Sequence, residues 1–300
     1  MTGPVAALLP DGRRLHLQHG PIDLIIGADG GVEDVWPAYR AAAERFETVL
    51  SELVEELPGL RSACPPEGRA FAGPVARRME AAVRPHASRV FVTPMAAVAG
   101  AVADEILSVM FAAAPLARAY VNNGGDIALH LASGGRFDLS VARLDAPGEH
   151  GRIHITAADP VRGIATSGRG GRSLSLGIAD SVTVLARTAA AADAAATLIA
   201  NAVDLPGHPG IERIPARELD PDSDLGTRPV VVGCAPLSPV EAEEALARGV
   251  VEAKRMRAAG LIEAAGLFLA EARRIEGAFD AKTGLAEVAA AMERKVVVNG

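Results

Sequence analysis

Residues 163–203 read GIATSGRGGRSLSLGIADSVTVLARTAAAADAAATLIANAV, and the prediction of the fold starts from this stretch. Residues 166–173 form a loop rich in Gly, Ser and Arg, and the apolar run at residues 180–185 predicts a strand. An alanine-rich helix follows, and it carries Asp193 and Thr197. The stretch therefore places a loop with binding chemistry directly before a strand and a helix.

The loop has the chemistry that a bound phosphate needs. It offers backbone N–H groups, including that of Gly168, hydroxyls from Thr166 and Ser167, and the guanidinium groups of Arg169 and Arg172. It is not a Walker A sequence, and it lacks the Gly-x-Gly-x-x-Gly spacing of a dinucleotide site. A phosphate-binding loop and a solvated connection both fit these residues.

Asp193 and Thr197 lie four residues apart, so a helix places both on one face. One carboxylate and one hydroxyl suit Mg²⁺, which keeps water and substrate phosphate oxygens as further ligands. The alternative is structural, because a threonine in a helix often bonds to the preceding turn and a lone aspartate can face solvent. Next to an anion-binding loop, the pair predicts a nucleotide site.

Residues 122–126 (NNGGD) must turn sharply, because Gly124 and Gly125 permit positive φ. In one interpretation this is a hairpin entry whose Asn and Asp side chains bond their own backbone. In the other, the glycines admit a ligand, and Asp126 accepts a hydrogen bond from a ribose or ring donor. Asp104 lies within an apolar helix, either at its surface or as a buried carboxylate with a partner.

Composition excludes several classes of protein. Thirty-seven acidic and 30 basic side chains give a net charge of −7, which argues against nucleic-acid binding. Two distant cysteines, Cys64 and Cys234, indicate neither a zinc site nor a disulfide framework, so a cytoplasmic protein is expected. Residues 92–117 are apolar but contain Asp104 and Glu105, which favours a buried helix over a membrane span.

The remaining pattern predicts an α+β fold, because long helices mix with hairpins and βαβ alternation is missing. Residues 15–26 predict two short strands and residues 32–57 a helix. Residues 127–131 and 137–141 alternate and predict a hairpin. Residues 206–227 predict a long connection, and residues 240–259 and 261–276 predict two helices whose apolar faces make a homodimer plausible.

Four segments of the chain resemble the ApbE-like superfamily, whose founding members are FAD:protein FMN transferases that use Mg²⁺. The segments are Gly100-Ala101-Val102-Ala103-Asp104, Asn123-Gly124-Gly125-Asp126-Ile127, Thr166-Ser167-Gly168 and Ala192-Asp193-Ala194-Ala195-Ala196-Thr197. Residues 94–101 and 171–180 resemble more closely an uncharacterised sister group of the transferases.

The resemblance implies an ApbE-like fold of mixed and antiparallel sheets flanked by helices. It implies one domain over residues 1–300, with core motifs in 92–203 and a connection and helices in 206–300. It implies metal ligation by Asp193 and Thr197. It also implies that FAD or FMN binds to the turn at Asn123, Gly124, Gly125 and Asp126, to Thr166, Ser167, Gly168 and Arg172 of the loop, and to Asp104. An acceptor protein is the implied partner.

Two departures from the transferases bear on activity. Ala99 stands where they have a lysine, and the His-x-x-Asp-Pro segment that follows their Thr-Ser-Gly is replaced by the shorter loop 169–177. Two functions are therefore expected: a Mg²⁺-dependent enzyme that processes flavin nucleotides, transferase-like or a flavin pyrophosphatase, or a non-catalytic flavin or nucleotide binder that serves another enzyme. No catalytic residue is identified.

Overall fold

The computed structural model describes residues 3–141, 151–171 and 173–277. Every strand pairing with a defined register is antiparallel, and helices accompany the sheets, so the predicted α+β class is confirmed. In chain order the elements are β1 (Val5–Leu8), β2 (Leu15–His19), β3 (Ile22–Asp29), α1 (Val32–Glu55), α2 (Leu57–Leu60), α3 (Pro74–Val83), α4 (Val98–Ala113), β4 (Arg118–Asn123), β5 (Asp126–Leu131), β6 (Arg136–Val141), β7 (Gly151–Thr156), β8 (Gly163–Ser167), β9 (Ser181–Ala186), α5 (Ala189–Ala202), β10 (Ile211–Pro215), α6 (Ala216–Leu219), β11 (Pro229–Cys234), α7 (Pro239–Ala258), β12 (Ala264–Leu269) and β13 (Ala272–Glu276).

The chain divides into two compact units, and each is assembled from three separate stretches. Unit 1 comprises Met1–Gly135, Pro160–Ala165 and Ala186–Ala194. Unit 2 comprises Arg136–Asp159, Thr166–Leu185 and Ala195–Gly300. The single domain expected over residues 1–300 stays a prediction.

Unit 1 is a sheet covered by helices. Its strands follow the order β1-β2-β3-β4-β5-β8. The two short strands predicted in residues 15–26 are β2 and β3, which meet at a turn where Gly20 has φ +57°. The helix predicted at residues 32–57 is α1, and its apolar face, including Phe46 and Val49, is buried.

Helix α4 is the central helix of unit 1. It packs against α1, α3, β4 and β5, and Ile106 and Met110 are fully buried on it. Among the described residues, Pro94–Ala113 is the one helical stretch that is long and apolar enough to cross a membrane by length and composition. Its packing is that of a core helix, as predicted. Glu105 on this helix is paired with Arg45 of α1 and Arg78 of α3, which neutralises an acid inside an apolar segment.

Unit 2 contains three antiparallel groups of strands. Strands β9, β12 and β13 lie side by side, and α7 packs on β12 and β13. The other two groups are the pairs β6–β7 and β10–β11. Helix α7 begins with a capping box in which Ser238 and Glu241 bond each other's backbone.

Three predicted elements are wrong. The connection predicted over residues 206–227 contains the strand β10 and the short helix α6. Residues 127–131 and 137–141 are strands but not partners, since β5 pairs with β4 and β8 whereas β6 pairs with β7. Residues 261–276 are not a helix but the hairpin β12–β13. The run at β12 is apolar on both of its faces because both are buried, and such a short run has no period that separates strand from helix. The homodimer rests partly on that helix, and it stays a prediction.

Candidate functional site

The turn between β4 and β5 is tight and is fastened to the start of α4. Asn123 pairs with Asp126 across it, and Gly124 and Gly125 have φ +65° and +115°, which confirms the predicted sharp turn. The Asn123 side chain is buried, and its Nδ2 donates to the carbonyl oxygen of Ala99 at 3.0 Å. The two glycines between these anchors are exposed.

The same backbone segment binds Asp193. Oδ2 of Asp193 accepts a hydrogen bond from the Gly100 N–H at 3.0 Å. A side chain at Gly100 would place its Cβ 2.2 Å from the carbonyl oxygen of Ala189, in the first turn of α5. Glycine at this position is therefore what lets α4 and the start of α5 approach closely enough for the bond to form.

Asp104 fixes the start of α5. Its two carboxylate oxygens accept from the N–H groups of Ala189 and Ala190, at 3.0 and 2.9 Å. These N–H groups belong to the first turn of the helix and have no partner within it. Of the two alternatives from the sequence, the structure therefore shows a carboxylate with partners, and a contact between Asp104 and a ligand stays a prediction.

Negative charge is concentrated around Asp193. Burial raises the pKa of Asp193 well above its usual range, and the carboxylate of Asp126 raises it further, while backbone N–H groups at Gly100 and Ala99 oppose this. Burial likewise raises the pKa of Asp104 to about 6, against its two backbone hydrogen bonds. Keeping these acids ionised in poorly hydrated surroundings is costly without a cation.

The donors in this region are hard oxygens, which is the set that Mg²⁺ and Ca²⁺ take. Within the part of the chain that the structure describes, no three His, Cys, Asp or Glu side chains stand close enough to hold a metal. A cation beside Asp193 would therefore need other oxygens: a hydroxyl, water or a phosphate. That is the composition of the predicted site.

In unit 2, the loop that contains Thr166, Ser167 and Gly168 is tied to its own unit. The hydroxyl of Thr166 is 2.9 Å from that of Thr183. Gly168 has φ +152°, and a Cβ there would be 2.5 Å from the carbonyl oxygen of Asp180. The Arg169 N–H donates to Ala179 O at 2.9 Å. The glycine of the Thr-Ser-Gly turn is thus required by a close backbone approach.

Asp180 holds this loop against the β12–β13 hairpin. Its buried Oδ1 accepts from Nε and Nη2 of Arg169, at 2.8 and 2.7 Å. Its Oδ2 accepts from the N–H of Ala270, which has φ +50°, at 2.6 Å. The sequence suggests that the guanidinium of Arg169 could contact a bound anion, but in the structure this guanidinium is paired with a carboxylate of the protein.

The predicted site residues fall into three groups. Asp104, Asp193 and the turn residues Asn123, Gly124, Gly125 and Asp126 come together in unit 1. Thr166, Ser167, Gly168 and Thr197 belong to unit 2, with Thr197 in α5 one turn beyond Asp193. Arg172 lies outside the described residues. The ligand and metal roles of all of them stay predictions.

Sequence reasoning missed two contributors. The backbone of Ala99 and Gly100 binds both Asn123 and Asp193, and the available signal was a glycine inside an apolar helix. The sequence marks Asp180 only as the first residue of a strand. No local pattern indicates its partners, because Ala270 lies 90 residues away.

A family model described as AbpE bacteria matches residues 6–279. The chain belongs to this family. The predicted membership of the ApbE-like superfamily is thereby confirmed for nearly the whole chain. The model's description states no substrate and no metal.

Curated relatives of this AbpE family member include UPF0280 proteins of three archaea. The protein of Methanothrix thermoacetophila is 39% identical over 134 residues, which are 44% of this chain and 53% of that protein. The proteins of Methanocaldococcus jannaschii and Methanopyrus kandleri are 40% and 41% identical, over 37% and 42% of this chain and 45% and 48% of their own lengths. The chain thus spans about half the length of the curated relatives it matches.

One solved structure with a match is an ApbE protein of Thermotoga maritima. It is 16% identical to this chain, with a TM-score of 0.30, over 71% of this chain and 78% of that one.

Proposed function

We propose that this AbpE family member is a Mg²⁺-dependent protein that binds a flavin nucleotide, FAD or FMN, and cleaves the pyrophosphate of FAD. Water or a protein hydroxyl would form the new bond to the FMN phosphorus, and AMP would leave. The proposal is supported above all by Asp193, a desolvated carboxylate held by the Gly100 N–H and surrounded by the charges of Asp126 and Asp104. Such a carboxylate is suited to a divalent cation, and protein-bound Mg²⁺ is commonly coordinated by one or two carboxylates together with phosphate oxygens of the substrate.

The residues around Asp193 fit the proposed ion by donor type. Asp193 and Thr197 would hold Mg²⁺, which when bound would neutralise charge on the pyrophosphate oxygens. The N–H groups of Ala99 and Gly100 fix the carboxylate of Asp193, and the cap that Asp104 makes on Ala189 and Ala190 fixes the helix that carries it. The carboxylate of Asp193 is thus oriented by backbone contacts without a bound ion.

The turn between β4 and β5 would receive the flat part of the ligand. Gly124 and Gly125 are exposed, and a Cβ at Gly125 would meet no atom within 4 Å, so a ring system can approach the backbone there. Asp126 would accept from an N–H or hydroxyl of the ligand. The loop at Thr166, Ser167 and Gly168 would supply N–H groups to phosphate oxygens, as its family motif implies.

A non-catalytic flavin or nucleotide binder is the second candidate. Arg169 is paired with the buried Asp180, so its charge is already compensated and contributes little to the stabilisation of a reacting phosphate. Ala99 brings no cation either. These two positions favour a site that retains the ligand intact, as an accessory protein would need.

The deciding experiment is chromatography of FAD after incubation with the protein, with and without Mg²⁺. The enzyme yields FMN and AMP only with Mg²⁺, and Asp193→Ala abolishes the products. Asp222→Ala, which removes an exposed carboxylate in a loop of unit 2, is the matched control and should leave turnover unchanged. The binder holds intact FAD in both conditions. Intact FAD with no detectable binding would refute the enzyme and a binder of FAD, and would leave only a binder of another nucleotide.

The same proposal covers location and partners. We infer a cytoplasmic protein, from the two separate cysteines, which indicate no disulfide framework. If FMN is transferred rather than released, the acceptor is a hydroxyl of a second protein. Mass spectrometry of candidate acceptors for the mass of covalently attached FMN tests this, and release of free FMN without labelled protein would indicate the pyrophosphatase instead.

A further inference from the structure

A wide-open surface cavity lies within unit 1, at the far end of α4 from Gly100. It has a volume of about 650 Å³, and Gly30, Gly31, Phe111, Leu116, His130 and Ala132 are among the residues that line it. Gly100 and Phe111 are separated by eleven residues of one helix, which is about 16 Å along its axis. The cavity is therefore distinct from the surroundings of Asp193.

An aromatic wall bounds this cavity. The rings of Phe111 and His130 lie 4.2 Å apart between centroids and are inclined by 39°. Phe111 is 54% exposed, although aromatic residues make up only 3% of the chain. A large ring left in water beside a concave surface is the kind of feature on which a flat ligand stacks.

His130 is the one polar side chain among the described residues that line the cavity. Nε2 of His130 lies 3.2 Å from the carbonyl oxygen of Leu116, and since a carbonyl only accepts, that nitrogen carries the proton. Burial lowers the pKa of His130, so the ring is neutral and its Nδ1 is an acceptor. No Lys or Arg is among the described lining residues.

The backbone at Gly30 and Gly31 packs against Asp34, whose Oδ2 accepts a hydrogen bond from the Gly31 N–H at 3.2 Å. Neither residue has positive φ, and a Cβ at Gly30 would meet its nearest neighbours at 3.6 Å, which is ordinary contact. The fold itself therefore does not require glycine at position 30. The first turn of α1, directly after these glycines, carries Glu33 and Asp34, which makes the vicinity unfavourable for a phosphate.

We propose that this cavity binds an uncharged nucleoside whose heteroaromatic base stacks on Phe111. Its volume is in the range of small-molecule sites. The aromatic wall supplies a stacking surface, the imidazole of His130 supplies a hydrogen-bonding group, and Glu33 and Asp34 at the start of α1 disfavour the charge of a nucleotide. This site is separate from the proposed flavin site and does not depend on it.

Adenosine is the probe, and calorimetry with the full chain is the measurement. We expect saturable binding to the unaltered protein and an affinity lower by about 5- to 150-fold in Phe111→Ala, which is the usual range for loss of one base-stacking partner. Phe111→Leu keeps an apolar side chain but no aromatic face, and should also weaken binding. Leu219→Ala is the control, because Leu219 is also an exposed apolar residue but belongs to unit 2. This variant should bind adenosine with the affinity of the unaltered protein.

Three further measurements test where adenosine binds and which of its groups are recognised. Asp193→Ala should bind adenosine normally, because its carboxylate lies at the other end of α4. AMP should bind no more tightly than adenosine, and toluene should bind more weakly. Each of five results would overturn the proposal. They are no saturable binding of adenosine, equal affinity in Phe111→Ala, loss of binding in Asp193→Ala, tighter binding of AMP, and equal binding of toluene.

Discussion

Replacing Gly100 with alanine tests the close approach on which the site depends. In the interior of a helix, alanine is normally more favourable than glycine by about 0.5–1 kcal/mol. Gly100 should reverse that sign. Its added Cβ would lie 2.2 Å from Ala189 O, 2.4 Å from Ala189 C and 2.7 Å from Ala190 N. All three are backbone atoms of α5, so no side-chain rotation relieves the overlap.

The cost can be assembled from the contacts. Restoring ordinary van der Waals separation requires the start of α5 to move by roughly 1 Å. Overpacking of this kind costs about 1–3 kcal/mol. The same movement lengthens the hydrogen bonds from Ala189 and Ala190 to Asp104 and from Gly100 to Asp193, which adds about 1–2 kcal/mol. After the propensity gain is subtracted, we expect a net destabilisation of about 2–4 kcal/mol.

Thermal unfolding followed by circular dichroism measures this effect. For a chain of this size, 2–4 kcal/mol lowers the melting temperature by about 3–6 °C. Gly30→Ala is the matched control, because its Cβ would meet neighbours only at 3.6 Å, and it should melt within about 2 °C of the unaltered protein. A Gly100→Ala variant that melts at or above the unaltered protein would refute the close packing of α4 on the start of α5.

Three further predictions concern carboxylates and backbone strain. Burial raises the pKa of Asp104 to about 6 from 3.8, so between these pH values the folded state retains a proton that the unfolded state releases. The free energy of unfolding should therefore fall by up to about 3 kcal/mol as the pH rises from 4 to 6. Urea midpoints across this range should show a smaller fall in Asp104→Ala, and an equal fall would contradict the assignment. Asp180→Ala removes the acceptor for Arg169 and Ala270 and should cost about 2–4 kcal/mol in urea unfolding, whereas Asp222→Ala should cost almost nothing. Ala270→Gly should raise the free energy of unfolding by up to about 1 kcal/mol, because φ +50° strains alanine but not glycine. A loss of stability would show that Ala270 is not in that conformation.

Local elements were predictable where residue type alone dictates conformation. The double-glycine turn at residues 124–125 and the capping box at the start of α7 follow from backbone freedom and side-chain hydrogen bonding within a few residues. Strand partners were not predictable in this way. The alternation in β5 and β6 identifies two strands, but nothing in it excludes a pairing between them, and the actual partners of β5 are set by the tight turn to β4 and by the distant β8.

The hairpin β12–β13 shows a second limit. Its apolar strand is buried on both faces, so the side-chain period that distinguishes a strand from a helix is missing. Gly260, with φ +70°, follows the end of α7 as predicted. The continuation beyond it is decided by pairing of β12 with β9, which lies about 80 residues earlier in the chain and leaves no local mark.

The departure at position 99 has a different meaning in the structure than in the sequence. Compared with the transferases, alanine there looks like the loss of a functional side chain. In the structure, however, this position serves the site through its backbone: Ala99 O accepts from Asn123, and the adjacent Gly100 N–H donates to Asp193. A carbonyl is available from any residue, so the substitution removes a cation without removing the scaffold that orients Asp193. In the proposed flavin site, retaining the scaffold while losing the cation would separate ligand binding from phosphate chemistry. That is why the products of FAD, measured beside its affinity, distinguish the two proposed functions.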